Sequence, residues 1–467
     1  MRRLEALLPT LAVVYLLWPH PRPFTVQLLP ILAALVLIAH LSAEGYRWQM
    51  IPIYLLTPLL VLSSLMKISG YTDWPATASD ITVLALVPCI ALPILLPIPK
   101  IPKPDGPYKV GTRNFMLVDA SRKEIYSGKD EPRRMMIQIW YPAEPKVTDK
   151  FAPWMQNAKI YSIYSSRFLS LPDFFLQHLQ LLKTPAYLAA PIADSEEKFP
   201  IILFSHGWMG FRAQNTGQAV LLASHGYVVV GMEHPYGSMV TVFPDGSVAL
   251  NNPSALPYNY EADDFEEVIR KFVKQWAEDM SFTLDQLQSS EVEAGVFNPH
   301  LDFSRIGVYG HSTGGGAAIQ FSASDARCKA VLGLDPFVRP VAENIIEQGV
   351  SQPAFFIFSE EWSSDETARN SQLFFRLYQR SKQTKGAIAI SGTKHFDLSD
   401  IPLLSPVAPM LGIKGPLKGM RVTEIVDSYI LAFFDLSLRN KSSQFLDGAF
   451  NHFSEVRTIH QESHEIN

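Results

Sequence analysis

The stretch Arg305-Ile306-Gly307-Val308-Tyr309-Gly310-His311-Ser312-Thr313-Gly314-Gly315-Gly316-Ala317-Ala318-Ile319 reads as a buried strand, a tight turn and a helix, with a serine at the apex. Backbone in such a turn is strained, so bulk two residues before or after the serine would clash. Gly310 and Gly314 occupy those two positions. The serine hydroxyl then projects beyond the sheet, and the helix that follows aims its positive end at the reacting centre. The pattern predicts Ser312 as a nucleophile. The bland alternative is a Gly-rich strand–helix turn without chemistry, and residues elsewhere in the chain decide between them.

Short apolar strands alternate with helices on both sides of this turn. Candidate strands are Arg113–Val118, Met135–Tyr141, Phe199–Phe204, Tyr227–Met232, Arg305–Tyr309, Ala330–Leu334, Ala354–Phe358 and Gly386–Ile390. Candidate helices include Gln214–Ser224, Glu261–Leu287, Thr313–Ala323, Thr367–Gln379 and Thr423–Leu438. Nearly continuous apolar strands alternating with helices imply a mostly parallel sheet covered on both faces. Eight strands with a nucleophile elbow after the fifth fit an α/β-hydrolase fold. Ligands of open α/β sheets gather beyond the carboxyl ends of the strands, where each catalytic candidate lies.

A serine needs a base, commonly a histidine oriented by a carboxylate, and in this fold the chain order is Ser, acid, His. His395 follows the last strand, in Ser391-Gly392-Thr393-Lys394-His395, whereas His452, His460 and His464 lie in the polar tail. Two acids compete: Asp335 after Val331-Leu332-Gly333-Leu334, and Glu360 after the next strand. Asp335 is the shorter and more rigidly placed and is preferred; its other reading is a turn-initiating Asp-Pro. The oxyanion of a tetrahedral intermediate needs fixed donors. The backbone N–H of Thr313 is one, and the turn Ser205-His206-Gly207-Trp208 offers Trp208 N–H as the second. His206 reads as a structural residue of that turn, and His311 as pointing away from the active face.

The first hundred residues are a different material. Leu4–Trp18, Phe24–Leu41, Ile51–Met66 and Ile81–Ile98 are apolar and almost uncharged, and three approach the length that spans a bilayer core. Residues 1–98 therefore read as an all-α transmembrane region of three or four helices, the first being the least secure because it is short and carries Glu5. Arg2, Arg3, Arg47, Lys100, Lys103, Lys109 and Arg113 fall on one side and Arg22 and Lys67 on the other, so the positive-inside rule puts the catalytic domain in the cytoplasm. Residues 99–107, with prolines at 99, 102, 104 and 107, read as a stiff extended linker. Residues 108–440 form the catalytic domain, with an apolar cap segment at 155–190, and 441–467 a polar tail.

The chain has 467 residues and a formal charge of −5, with no basic run, which excludes a nucleic-acid partner. Its two cysteines, Cys89 and Cys328, make no disulfide framework, and no ligand spacing marks a metal or cofactor site. The expected partners are a lipid ester and the bilayer.

Several blocks in order carry a more specific resemblance. Gly106-Pro107-Tyr108-Lys109-Val110-Gly111, Ile139-Trp140-Tyr141-Pro142, Phe204-Ser205-His206-Gly207, Ala223-Ser224-His225-Gly226-Tyr227, Glu233-His234, Leu334-Asp335-Pro336 and Phe358-Ser359-Glu360 join the elbow and His395. Together they resemble the plasma-type platelet-activating-factor acetylhydrolases, serine-dependent phospholipases that need no calcium. The resemblance covers Gly106 to Leu438 and implies Ser312, Asp335 and His395 as the triad, with oxyanion donors at Trp208 and Thr313. Thr313 stands where that family commonly has Phe, and the apolar N-terminus is an addition to it. The elbow also looks like that of dienelactone-hydrolase-like and cutinase-like esterases. The expected function is a membrane-anchored serine esterase acting on short or oxidised acyl chains of phospholipids. The alternatives are a general carboxylesterase and an inactive membrane scaffold on the same fold.

Overall fold

The structure, a computed structural model, describes residues 2–71, 76–257, 259, 264–289, 291–364, 368–446, 450 and 452–459. The expected helix starts at Glu261 and Thr367, and His460 and His464, lie outside the described residues.

Among the described residues, thirteen strands follow in chain order. They are β1 (Lys109–Lys123), β2 (Pro132–Ala143), β3 (Phe151–Pro153), β4 (Lys183–Leu188), β5 (Phe199–Ser205), β6 (Val228–Glu233), β7 (Val240–Val242), β8 (Val248–Leu250), β9 (Leu301–His311), β10 (Cys328–Leu334), β11 (Ala354–Ser359), β12 (Thr384–Ile390) and β13 (Val456–Thr458). Eleven form one sheet, in the order β13-β12-β11-β10-β9-β5-β6-β2-β1-β4-β3; β7 and β8 pair apart from it. The run from β6 to β12 is parallel, and β1, β2 and β13 add antiparallel pairings. All eight strands expected from sequence lie in this sheet, and β3, β4 and β13 extend it. The segment at 155–190 is thus part cap and part sheet. Helix Ala158–Phe168 and the turn Gln177–Leu181 lie over the core, while β4 runs parallel to β1.

Side chains alternate between two cores, as the two-residue period of a strand requires. Ile201, Leu203, Val308 and Val331 face helices Phe265–Gln288 and Thr313–Ser324. Ile202, Phe204, Tyr309 and Leu332 face helices Thr216–Ser224 and Gly419–Arg439. Every residue of β5, β6 and β11 is buried, because helices cover both faces.

The N-terminal helices form a separate cluster around Leu8, Ala12, Ala33, Ile53 and Leu56. Phe24–Ala43 and Trp48–Ile68 are long and apolar enough to cross a membrane, and only 28% of each is buried. The other two expected segments make shorter helices: Arg3–Leu17, then Ala76–Leu84 and Leu86–Leu95 with a break at Ala85. Glu5 is fully buried, yet it pairs with Arg2 at 2.7 Å and Arg47 at 2.8 Å. Arg47 also donates to the Leu96 carbonyl at 3.0 Å, tying the first helix to the end of the last. Glu5, His40 and Glu44 bring potential ligand atoms within 4.8 Å of one another, a juxtaposition that spacing along the chain does not announce. The arginines beside them make this cluster an ion-pair network.

The proline-rich stretch is a strap rather than a free spacer. Ile101 is buried in the second core, Asp105 pairs with His225 at 2.9 Å, and Tyr108 N–H donates to the Ser224 carbonyl at 3.0 Å. An extended proline-rich chain leaves its carbonyls and flanking side chains free for such contacts.

Candidate active site

Ser312 ends the β9 turn at φ 55° and ψ −121°, a conformation L residues rarely adopt. The glycines around it are required sterically. A Cβ on Gly310 would overlap the Gly314 carbonyl, and one on Gly314 would overlap the Ser205 and His206 carbonyls. Backbone hydrogen bonds fix the turn. Ser312 N–H donates to the Leu334 carbonyl at 2.9 Å, and the Ser312 carbonyl accepts from Gly315 and Phe337, both at 2.9 Å.

Asp335 follows β10 at φ 43° and is wholly buried. It accepts from Ser359 N–H at 2.7 Å and Ser359 Oγ at 2.6 Å. His395 Nδ1 lies 3.0 Å from Asp335 Oδ2. With Nδ1–H donating to the carboxylate, Nε2 keeps its lone pair free to accept a proton. Burial pushes the Asp335 carboxyl up to about 7, against the two Ser359 hydrogen bonds, and pushes the His395 imidazole down to about 4. The His395 side chain keeps 18% exposure, so one edge stays accessible while Trp362 stacks on the ring at 4.2 Å.

Glu360 is not on this histidine. Its carboxylate accepts from Gly392 N–H at 2.9 Å, which holds the loop that carries His395. Glu361, which sequence reading did not single out, accepts the His395 backbone N–H at 3.0 Å. His311 also departs from its expected orientation. Its ring packs on that of His395 with centroids 4.5 Å apart, and its Nε2 lies 2.9 Å from the His395 carbonyl. Gln214 Nε2 donates to His311 Nδ1 at 3.1 Å, so Nε2 carries the proton and donates to that carbonyl. The elbow histidine is a brace under the His395 loop.

The Ser205–Trp208 turn runs over the elbow. A Cβ on Gly207 would lie 3.1 Å from Ser312 Cβ and from His311 Nδ1. Gly210 N–H closes the turn on the Gly207 carbonyl at 2.9 Å, with Met209 at φ 57°. Thr313 opens the helix directly after Ser312 and is buried. His206 is buried, with Nδ1 2.7 Å from the Gly207 carbonyl and Nε2 accepting from His234 N–H at 3.2 Å, the contacts of a structural residue.

A second Ser–His–Asp set lies behind the turn. Ser205 Oγ is 3.0 Å from His234 Nε2, and His234 Nδ1 is 2.8 Å from Asp279 Oδ2. All three residues are completely buried. Asp279 also pairs with Arg133 at 2.7 Å and Arg122 at 2.9 Å, and against its burial the Arg133 charge and the His234 hydrogen bond hold its carboxyl far below the usual carboxylate range. His234 stacks on Trp276 at 4.2 Å. No sequence motif joins these residues, which come from three distant segments.

A strained serine at the turn after a middle strand, with a histidine on the loop after a later strand, is the architecture of an α/β-hydrolase. A solved ferulic acid esterase from Streptomyces cinnamoneus shares it: TM-score 0.64, 25% identity, covering 78% of this chain and all of that one. A platelet-activating factor acetylhydrolase of Cavia porcellus is 29% identical over 354 residues, 71% of this chain and 77% of the relative. A protein of Arthroderma benhamiae named "Probable 1-alkyl-2-acetylglycerophosphocholine esterase" is 25% identical over 393 residues, 76% of this chain and 92% of its own length. The family model described as "Platelet-activating factor acetylhydrolase, isoform II" matches residues 96–452, and the chain belongs to that family. It is a carboxylic ester hydrolase.

Proposed function

We propose that the chain is a membrane-anchored serine esterase that cleaves short or oxidised acyl chains from phospholipids through Ser312, His395 and Asp335. The observation that carries this reading is the His395 Nδ1–Asp335 Oδ2 hydrogen bond of 3.0 Å beside a serine held at φ 55°. His395 Nε2 takes the hydroxyl proton as Ser312 attacks the ester carbonyl. The backbone N–H groups of Trp208 and Thr313 receive the oxyanion. His395 returns the proton to the departing alcohol, and water, activated by the same imidazole, releases the acid. No metal or cofactor enters these steps.

Residues 1–98 are the anchor in this reading, residues 99–107 the strap, 108–440 the catalytic domain and 441–467 the tail. The outward apolar face of the N-terminal helices supports the bilayer assignment: Leu35, Ile38 and Leu55 are 60–66% exposed there. Arg2 and Arg47 meet at the end of the bundle that adjoins the catalytic domain, which supports a cytoplasmic domain by the positive-inside rule.

A fluorophosphonate probe should label wild-type protein and leave Ser312→Ala unlabelled, while Ser312→Ala loses ~10³-fold or more of its turnover on a short-chain nitrophenyl ester. Turnover retained in Ser312→Ala would sink the assignment. A general carboxylesterase is the second reading, favoured by Thr313 at the position after the nucleophile and by the ferulic acid esterase likeness. Defined phospholipids compared with soluble esters of equal acyl length separate the two.

A further inference from the structure

An apolar cavity of about 180 Å³ begins beside the candidate site and ends at the N-terminal helices. Trp208 and Phe396, the neighbours of Gly207 and His395, close its inner end. Its sides are Phe168 and Phe175 from the cap and Leu404 and Ala408 from the loop after His395. Its outer wall includes Leu96, the residue that ends the last N-terminal helix. Three polar contacts hold that wall in place. Ser405 Oγ donates to the Leu95 carbonyl at 2.7 Å, Trp48 Nε1 donates to the Phe175 carbonyl at 3.0 Å, and Gln49 Nε2 donates to His178 Nδ1 at 2.8 Å. The rim is apolar and outward: Met410 is 86% exposed, Leu411 61% and Phe168 45%. A soluble surface seldom leaves such an apolar rim uncovered.

We propose that the N-terminal helices are part of the substrate site, and that this cavity receives one hydrocarbon chain of a lipid ester sideways from the bilayer. The proposal rests on the lipid-esterase reading above and adds the place where the chain is held. Size selects the occupant. Pockets that enclose a whole drug-sized ligand run to roughly 300–1,000 Å³, so this one takes a segment of a single chain and leaves the rest of the lipid in the membrane. Chemistry selects it too. The wall residues are apolar nearly throughout, so a headgroup or a glycerol backbone would lose its water there without replacement.

The test separates binding from turnover. Full-length Ser312→Ala protein is placed in phosphatidylcholine vesicles that contain a phospholipid with a mid-chain diazirine, irradiated, digested and mapped. Label is expected at Leu96, Phe168 and Leu404–Leu411, and Ala408→Trp in the same background should cut it by about fivefold or more, as one filled subsite would. Label confined to the outward residues Leu35, Leu55 and Leu62, or unchanged by the plug, overturns the proposal. Protein with an active Ser312 gives a second readout. Ala408→Trp, or the milder Ala408→Leu, should lower the ratio of kcat/KM for dodecanoyl over acetyl nitrophenyl ester by about tenfold or more, within the range that a few lost methylene contacts supply. An unchanged ratio counts against the cavity alone. Failure of the lipid-esterase reading would show differently, as no preference for phospholipids over soluble esters of equal acyl length, and the photolabel map would still decide the cavity.

Discussion

Two Ser–His–Asp sets share this molecule, and they differ in almost every respect except their chemistry. In each, the histidine gives Nδ1 to the aspartate and stacks on a tryptophan at 4.2 Å. Ser205 lies in regular strand and already holds a hydrogen bond to His234, whereas Ser312 sits at φ 55° on a turn. Asp279 is matched by two arginines; Asp335 has Ser359 and His395. Burial lowers the His234 imidazole, and the Asp279 hydrogen bond and charge offset only part of that. In the proposed mechanism Asp335, with no arginine on it, meets the imidazolium that forms during a reaction. Access completes the contrast, since the Ser205 set is sealed and His395 keeps an exposed edge. The two sets thus differ in backbone strain, access and the partners of the acid rather than in residue types.

The largest effect that breaks or sharpens this comparison is on turnover. Ser312→Ala should cost ~10³-fold or more in kcat/KM, while Ser205→Ala stays within about threefold. A comparable loss in both would erase the distinction. Next comes stability. Asp279→Ala leaves Arg133 and Arg122 without the carboxylate they share, and should lower unfolding free energy by about 3–5 kcal/mol, read from denaturant midpoints of the full-length protein. A change under about 1 kcal/mol would show that the sealed set is not structural.

The pH profile is a smaller effect. Burial lowers the His395 imidazole to about 4, so the neutral base persists as pH falls and is lost only when pH approaches that value. Read by NMR of the imidazole, His395 should stay more than about nine-tenths neutral from pH 7.5 to 5.5, where an unshifted histidine of pKa ~6.5 would be about nine-tenths protonated at the lower pH. A midpoint near 6.5 would contradict the enclosure of His395. The smallest effect is expected at Glu360→Gln, within about threefold on kcat/KM, because its carboxylate touches Gly392 rather than the imidazole.

Much of the fold was legible because its signals are local. The strands of the middle of the sheet are apolar runs, and the elbow is a steric rule written in glycines. β3 and β13 were not legible, being three residues long, and β4 hides at the end of an apolar cap with Pro185 inside it. At the site, Asp335 and Glu360 each end a strand in the same way, and which one reaches His395 depends on how far each loop turns. The brace from His311 and the tether from Glu361 depend on a ring and a backbone N–H meeting across the fold, which no spacing encodes. The same holds for Ser205, His234 and Asp279, whose residue types alone gave no reason to group them.

The tie between Leu95 and Ser405, with Trp48 against Phe175 and the strap at 101–108, has a mechanical consequence. Membrane helices answer a change in bilayer thickness by tilting. In the bilayer reading, a catalytic domain on a slack tether would not feel that tilt. Here the ties join the bundle to the wall of the cavity, so in that reading a tilt reaches the mouth. Under the proposed function, lipid composition then acts on the rate through geometry as well as through substrate supply.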